Sequence, residues 1–171
     1  ELKKAYTDWY AKKKLPVTQS TLVNNAIQFV FLGHTLDEMP VSDFDSSVLT
    51  NAQSYSDTAI IVISRAGSEH EDYSLEQIRL SDAEKGMVEY VATNYANVIV
   101  LFNTSNNVEM NFINNYPSIK AVAMIGIPGE VGFDSVGKML SGEVNPSGKL
   151  TDTIAYNVTD FPSYQNFGSY Q

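Results

Sequence analysis

A chain of 171 residues with 43% hydrophobic content has the size and composition of one globular domain with a single sizeable core. Its net charge of −9 argues against nucleic-acid phosphates or an anionic membrane as partners, and is compatible with a neutral ligand such as a sugar. The absence of cysteine, with His34 and His70 the sole histidines, excludes disulfides, thiolate metal sites and cysteine nucleophiles, and indicates no metal centre and no cofactor.

No segment approaches the ~18 apolar residues of a membrane span. The opening ELKKAYTDWY has no signal-peptide core and reads as internal to a longer protein, which leaves localisation open. Residues 1–14 place Leu2, Tyr6, Trp9 and Lys13 roughly along one stripe, the pattern of an amphipathic helix closed by Pro16. Thr18 to Asn25 is polar and irregular. Ala26 to Leu32, ended by Gly33, is a strand or a short extended segment. A helix is expected from Pro40, with Ser42 as its cap and Phe44, Val48, Ala52 and Tyr55 at helical spacing.

The chain is organised around Asp57 to Tyr73. Ala59, Ile60, Ile61, Val62 and Ile63 form an apolar, β-branched run, the signature of a strand buried on both faces within a parallel sheet. The run then empties into Glu69, Glu71 and Asp72, with His70 between them. Next comes a helix with a capping box of Ser81 and Glu84 and a buried stripe of Val88, Val91, Ala92 and Tyr95. Val98 to Phe102 is a second buried strand, ending at Asn103. Asn107 to Asn114 reads as a short helix, and Ile119 to Ile125 as a third strand, also expected to be largely buried. Phe133 to Leu140 is helical with Gly142 as its C-terminal glycine, and Asn145 to Gly148 is a turn.

Alternating strands and helices with short links specify an α/β fold: a mainly parallel sheet with helices on both faces, layered like flavodoxin. The tail from Thr151 is rich in Tyr, Asn and Ser and reads as an extended segment lying on something else. The division is therefore 1–150 for the domain and 151–171 for a tail or linker.

Ligands of open α/β sheets collect at the carboxyl ends of the strands, which makes the acidic stretch after the first strand the site candidate. A solvated acidic loop is the alternative. A carboxyl near other carboxylates in a partly desolvated crevice has its pKa raised, as a general acid requires. Among Glu69, Glu71 and Asp72 one could hold a proton while its neighbours stay ionised, and Arg65 could counter this or hold a neighbour in place. Asn103 could hydrogen-bond a ligand or merely satisfy its loop. No G-x-G-x-x-G or Walker pattern follows a strand, and no serine sits in a G-x-S-x-G elbow.

Three stretches, in order, carry a resemblance to a known family. SDTAIIVISRAGSEHEDY, LFNTSNNVEM and GIPGEVGFDSVGKMLSGEVNPSGKL resemble motifs of the (α/β)6-sandwich, C-terminal-type domain of glycoside hydrolase family 3, the β-glucosidase family. The likeness runs from about Glu38 to Tyr164. The NPSGKL turn is its most specific part, and the tail resembles that of bacterial members, some of which carry this domain ahead of the barrel.

The resemblance implies a domain truncated at its start, within a retaining enzyme acting on β-linked glucosides or related sugars. It places Glu69 on the acid/base glutamate and Asp72 on an aspartate that orders the site. Arg65, His70, Glu71 and Asn103 fall among the substrate-binding or site-ordering candidates. Ser68 and His70 replace two glycines of the family loop, Tyr73 replaces its arginine, and Glu130, Val131, Phe133 and Thr151 also depart from the pattern. Retaining glycosidases need a second carboxyl about 5 Å from the first. In family 3 that nucleophile belongs to a separate (β/α)8 barrel, which nothing here resembles, so the implied partners are a carbohydrate and that barrel. Two other readings remain: a non-catalytic scaffold or carbohydrate-binding domain, and a generic flavodoxin-like binding domain.

Overall fold

The computed structural model describes residues 1–12, 38–65 and 73–166. The stretch 26–32 lies outside the described residues. Helix α1 spans Leu2–Lys12, α2 Ser46–Tyr55, α3 Leu75–Ile78, α4 Asp82–Asn94, α5 Gly129–Leu140 and α6 Pro162–Gln165. The strands are β1 (Thr58–Ser64), β2 (Asn97–Asn103) and β3 (Ile119–Met124). They form one parallel sheet in the order β1-β2-β3, which is the expected α/β arrangement. The register sets Ile61 beside Val100 and Ile63 beside Phe102.

The core lies on one face of this sheet. Ile61, Ile63, Val98, Val100 and Phe102 alternate along β1 and β2 and therefore point the same way. They cluster with Val88 of α4 and with Leu80, Val108 and Phe112. Phe102 and Phe112 meet at a ring-centroid distance of 6.4 Å and an interplanar angle of 56°, a tilted arrangement favoured by aromatic quadrupoles. Burying a side chain such as Ile63 or Phe102 stabilises the fold by ~1.5–3 kcal/mol.

Two expectations of burial are corrected here. β1 is buried on one face alone: Ile60 and Val62 remain 50% and 40% exposed beside fully buried Ile63. β3 is likewise exposed over much of its length, Ala121 and Val122 included. The reason is position. β1 and β3 flank β2, which is shielded on both sides and buries Leu101 as well as its core-facing residues. An apolar run specifies a strand that can be covered, not which of its faces is.

Local chemistry sets the helix boundaries. Asp45, not Ser42, caps α2, accepting a 2.8 Å hydrogen bond from the Ser47 N–H. Residues 41–43 make a separate 3-10 turn. The capping box of Ser81 and Glu84 forms as expected. In place of a helix over 107–114 there is a 3-10 turn over Asn111–Asn115. Just upstream, Thr104 Oγ1 accepts the Asn106 N–H at 3.0 Å, a side-chain bond that competes with helical pairing. α5 starts four residues earlier than its apolar spacing suggests, at Gly129, directly after Pro128. At its end Gly142 adopts φ +78° and donates to the Met139 carbonyl, the left-handed exit that favours glycine.

Candidate functional site

β1 and β2 end side by side. Ser64 pairs with Asn103, the Asn103 carbonyl accepts the Arg65 N–H at 3.3 Å, and Asn103 Nδ2 donates to Ser64 Oγ at 3.4 Å. Asn103 therefore sits half-buried at the carboxyl edge of the sheet. Glu69, His70, Glu71 and Asp72 lie outside the described residues. The segment that carries them leaves from Arg65 and returns at Tyr73, and both of those ends are described.

Arg65 is 4% exposed. Its Nη1 and Nη2 donate to Glu84 Oε1 and Oε2 at 2.5 and 2.8 Å, the parallel fork that a guanidinium offers a carboxylate. Nη1 also donates to the Ser64 carbonyl at 2.8 Å, Nη2 to the Arg79 carbonyl at 3.0 Å, and Nε to the Gln77 carbonyl at 2.9 Å. A guanidinium has five N–H donors, and here all five have protein acceptors. None is left for a sugar hydroxyl.

Glu84 is the partner that sequence reasoning missed. Its spacing from Ser81 revealed the capping role, and the Ser81 N–H donates to Glu84 Oε2 at 2.7 Å. The same carboxylate, 2% exposed, also neutralises Arg65. A capping glutamate is ordinarily solvated, so the capping signal carried no hint of a buried ion pair. Glu109 was also missed, although it lies in the LFNTSNNVEM stretch. It is buried, accepts Arg79 Nε at 2.9 Å on Oε2, and accepts the Val158 N–H at 2.9 Å on Oε1. Its own N–H donates to the Ile78 carbonyl at 3.0 Å. Val158 opens a 3-10 turn, Val158–Asp160, so this part of the tail is fastened to the domain.

Burial beside Arg65 perturbs two further groups. Glu38 is half-buried, and its pKa is raised first by that burial and next by the Glu84 carboxylate, with Arg65 opposing. Burial likewise raises the Tyr73 hydroxyl, again against Arg65. Among the described residues no three His, Cys, Asp or Glu side chains group so as to hold a metal, and no helix is long and apolar enough to cross a membrane. An apolar cavity of about 810 Å³ opens between α1, α2, α4 and the amino-terminal half of β1, lined by Phe44, Val48, Ile60 and Tyr90 among others. Neither Arg65 nor Asn103 lines it.

Residues 3–171 match the model of the glycosyl hydrolase family 3 C-terminal domain. The chain belongs to that family. A β-glucosidase of Ruminococcus albus is 39% identical over 133 residues, covering 77% of this chain and 14% of that protein. β-Glucosidase A of Butyrivibrio fibrisolvens is 33% identical over 144 residues, covering 70% of this chain and 17% of its own length. Among solved structures, a β-glucosidase from Paenibacillus barengoltzii superposes with a TM-score of 0.70 at 37% identity, over 78% of this chain and 15% of that one. β-Glucosidase 3B from Thermotoga neapolitana, solved in complex with glucose, gives 0.68 at 26% identity, over 78% of this chain and 19% of that one. This chain thus covers less than a fifth of the length of each of these four relatives.

Proposed function

We propose that this domain is the acid/base-bearing half of a retaining family 3 β-glycosidase acting on β-linked glucosides or related sugars. Glu69 is its general acid/base, Asp72 orders the site, and the nucleophile comes from a barrel domain toward which the tail, 151–171, leads. The observation that carries this reading is the family match over residues 3–171. It is supported by the placement of Arg65 and Asn103 at the carboxyl edge of a parallel sheet, on the side where α/β folds bind ligands.

In the first step Glu69 protonates the leaving glycosidic oxygen while the barrel carboxylate attacks the anomeric carbon. In the second step the Glu69 carboxylate, ionised by the first, takes a proton from the water that attacks the glycosyl-enzyme, releasing the sugar and freeing the barrel carboxylate. The domain alone supplies half of this chemistry. The isolated 171-residue chain is therefore expected to hydrolyse an aryl β-glucoside no faster than a buffer blank.

The test is Glu69→Ala in the complete enzyme. Activated aryl leaving groups depart unassisted, whereas a disaccharide's sugar needs its proton. The loss is expected to be larger for the disaccharide by about 10²–10⁴, the usual worth of acid–base assistance. Azide, a nucleophile that needs no base, restores part of the aryl-glucoside turnover. Unchanged turnover on both substrates would leave a scaffold or carbohydrate-binding role instead.

A further inference from the structure

Three successive backbone carbonyls on the far side of the acidic segment are held by other parts of the chain. The Gln77 carbonyl accepts from Arg65 Nε at 2.9 Å, the Ile78 carbonyl from the Glu109 N–H at 3.0 Å, and the Arg79 carbonyl from Arg65 Nη2 at 3.0 Å. They stand at the C-terminal end of α3, where no further helical turn supplies donors. Arg65 also donates to the Ser64 carbonyl. One buried guanidinium therefore ties together Ser64, at the end of β1, and residues 77–79 beyond segment 66–72. Glu84 fixes that guanidinium in a planar fork, which leaves it a single orientation. From outside, the Arg79 side chain is fastened to Glu109.

We propose that Arg65, held by Glu84, is a positioning residue for the acid/base glutamate. It fixes the end of β1 against residues 77–79, described stretches on either side of the segment that carries Glu69, and the Arg79–Glu109 pair is the outer fastening of the same clasp. The inference rests on the assignment of Glu69 as general acid/base. A buried ion pair with a structural role alone would hold the core together without any bearing on the proton transfer. The two roles differ in what a conservative change does to substrates of unequal leaving group.

In the complete enzyme, Arg65→Lys keeps a positive charge beside Glu84 but has one nitrogen in place of three. It cannot reach the Ser64, Gln77 and Arg79 carbonyls together. Misplacement of a catalytic group by about 1 Å costs on the order of 10²-fold in rate. The expected result is a ~10–100-fold fall in kcat/KM on cellobiose with kcat/KM on a nitrophenyl β-glucoside little changed, since the first step alone senses the leaving group. Arg79→Gln/Glu109→Gln replaces the outer ion pair by a neutral one and keeps the Arg65–Glu84 pair, while weakening the bond from the Val158 N–H. It is expected to show the same selectivity, more weakly, and it carries the test if Arg65→Lys fails to fold. Glu69→Ala is measured beside them. Selective loss in Glu69→Ala, with equal or no loss on the two substrates in the clasp variants, overturns the clasp alone. Absence of selectivity in Glu69→Ala overturns the acid/base assignment, and the clasp with it.

Discussion

Arg65 and Glu84 face each other through two hydrogen bonds, 2.5 and 2.8 Å long, with both side chains 2% exposed. They lie nineteen positions apart along the chain, one following β1 and the other in the first turn of α4. The pair therefore joins the sheet to the helix that covers it. Burying two charges is costly, and their attraction repays that cost only where every donor and lone pair is matched. Here the guanidinium has all five donors matched, and the carboxylate adds the Ser81 N–H.

Removing one partner leaves the other as an unpaired buried charge. Arg65→Met is expected to destabilise the 171-residue chain by about 3–5 kcal/mol in urea unfolding, from a total of ~5–15. Arg65→Met/Glu84→Leu should be less destabilised than Arg65→Met, since no charge then remains buried. A deficit should persist, because the Ser81 N–H loses its capping acceptor and the Ser64, Gln77 and Arg79 carbonyls lose their donor. A double variant as unstable as the single one would contradict the orphaned-charge explanation.

The one-sided burial of β1 separates two neighbouring isoleucines. Ile61 is 3% exposed and Ile60 50%, yet their sequence surroundings are nearly identical. Ile61→Asp puts an unpaired charge into the core, at a cost of several kcal/mol, and should abolish cooperative unfolding. Ile60→Asp keeps its charge at the surface and should cost about 1 kcal/mol or less. Thermal melts of the two variants check this, and equal damage at both positions would show that β1 is covered on both faces after all.

Legibility in the sequence followed the range of the interaction. The β-branched run at 59–63, the Ser81–Glu84 spacing and Gly142 each encode a local preference, and each element formed where it was read. The failures depend on partners distant in sequence. Whether Ile60 is covered depends on what packs over β1. The burial of Glu84 depends on Arg65, and that of Glu109 on Arg79 and Val158. The 107–114 helix failed for a nearer reason, since Thr104 bonds the local backbone and α-helical pairing does not begin. The strand ends carrying Arg65 and Asn103 were legible in the sequence, but not that Arg65 is spent on protein acceptors.

Glu38 gives a pH dependence whose sign is fixed by its surroundings. Burial and the Glu84 carboxylate raise its folded pKa above the unfolded value of about 4.3. Between those two values the folded state binds more protons than the unfolded state, so stability falls as pH rises through the window and then levels off. Glu38→Gln cannot ionise and should lack this fall. The comparison is the urea midpoint of wild type against Glu38→Gln from about pH 4 upward. A difference between them that does not change with pH would show that Glu38 is not perturbed by folding.

Glu109 joins the tail to the domain, and that coupling can be measured. Its buried carboxylate accepts from Arg79 Nε and from the Val158 N–H, each at 2.9 Å. Asn111 Nδ2 adds a bond to Asn157 Oδ1 at 3.4 Å. Deleting residues 151–171 removes one donor from a buried charged acceptor, a loss of about 1–3 kcal/mol. Glu109→Gln in the full chain weakens both of its bonds. If the tail is held through Glu109, the two changes share a partner and cannot add. The combined variant should be less destabilised than the sum of the two by about 0.5–3 kcal/mol, the range seen for groups in one network. The measurement is a double-mutant cycle by urea denaturation. Strict additivity would mean that the tail contributes through other contacts, and that Glu109 serves Arg79 alone.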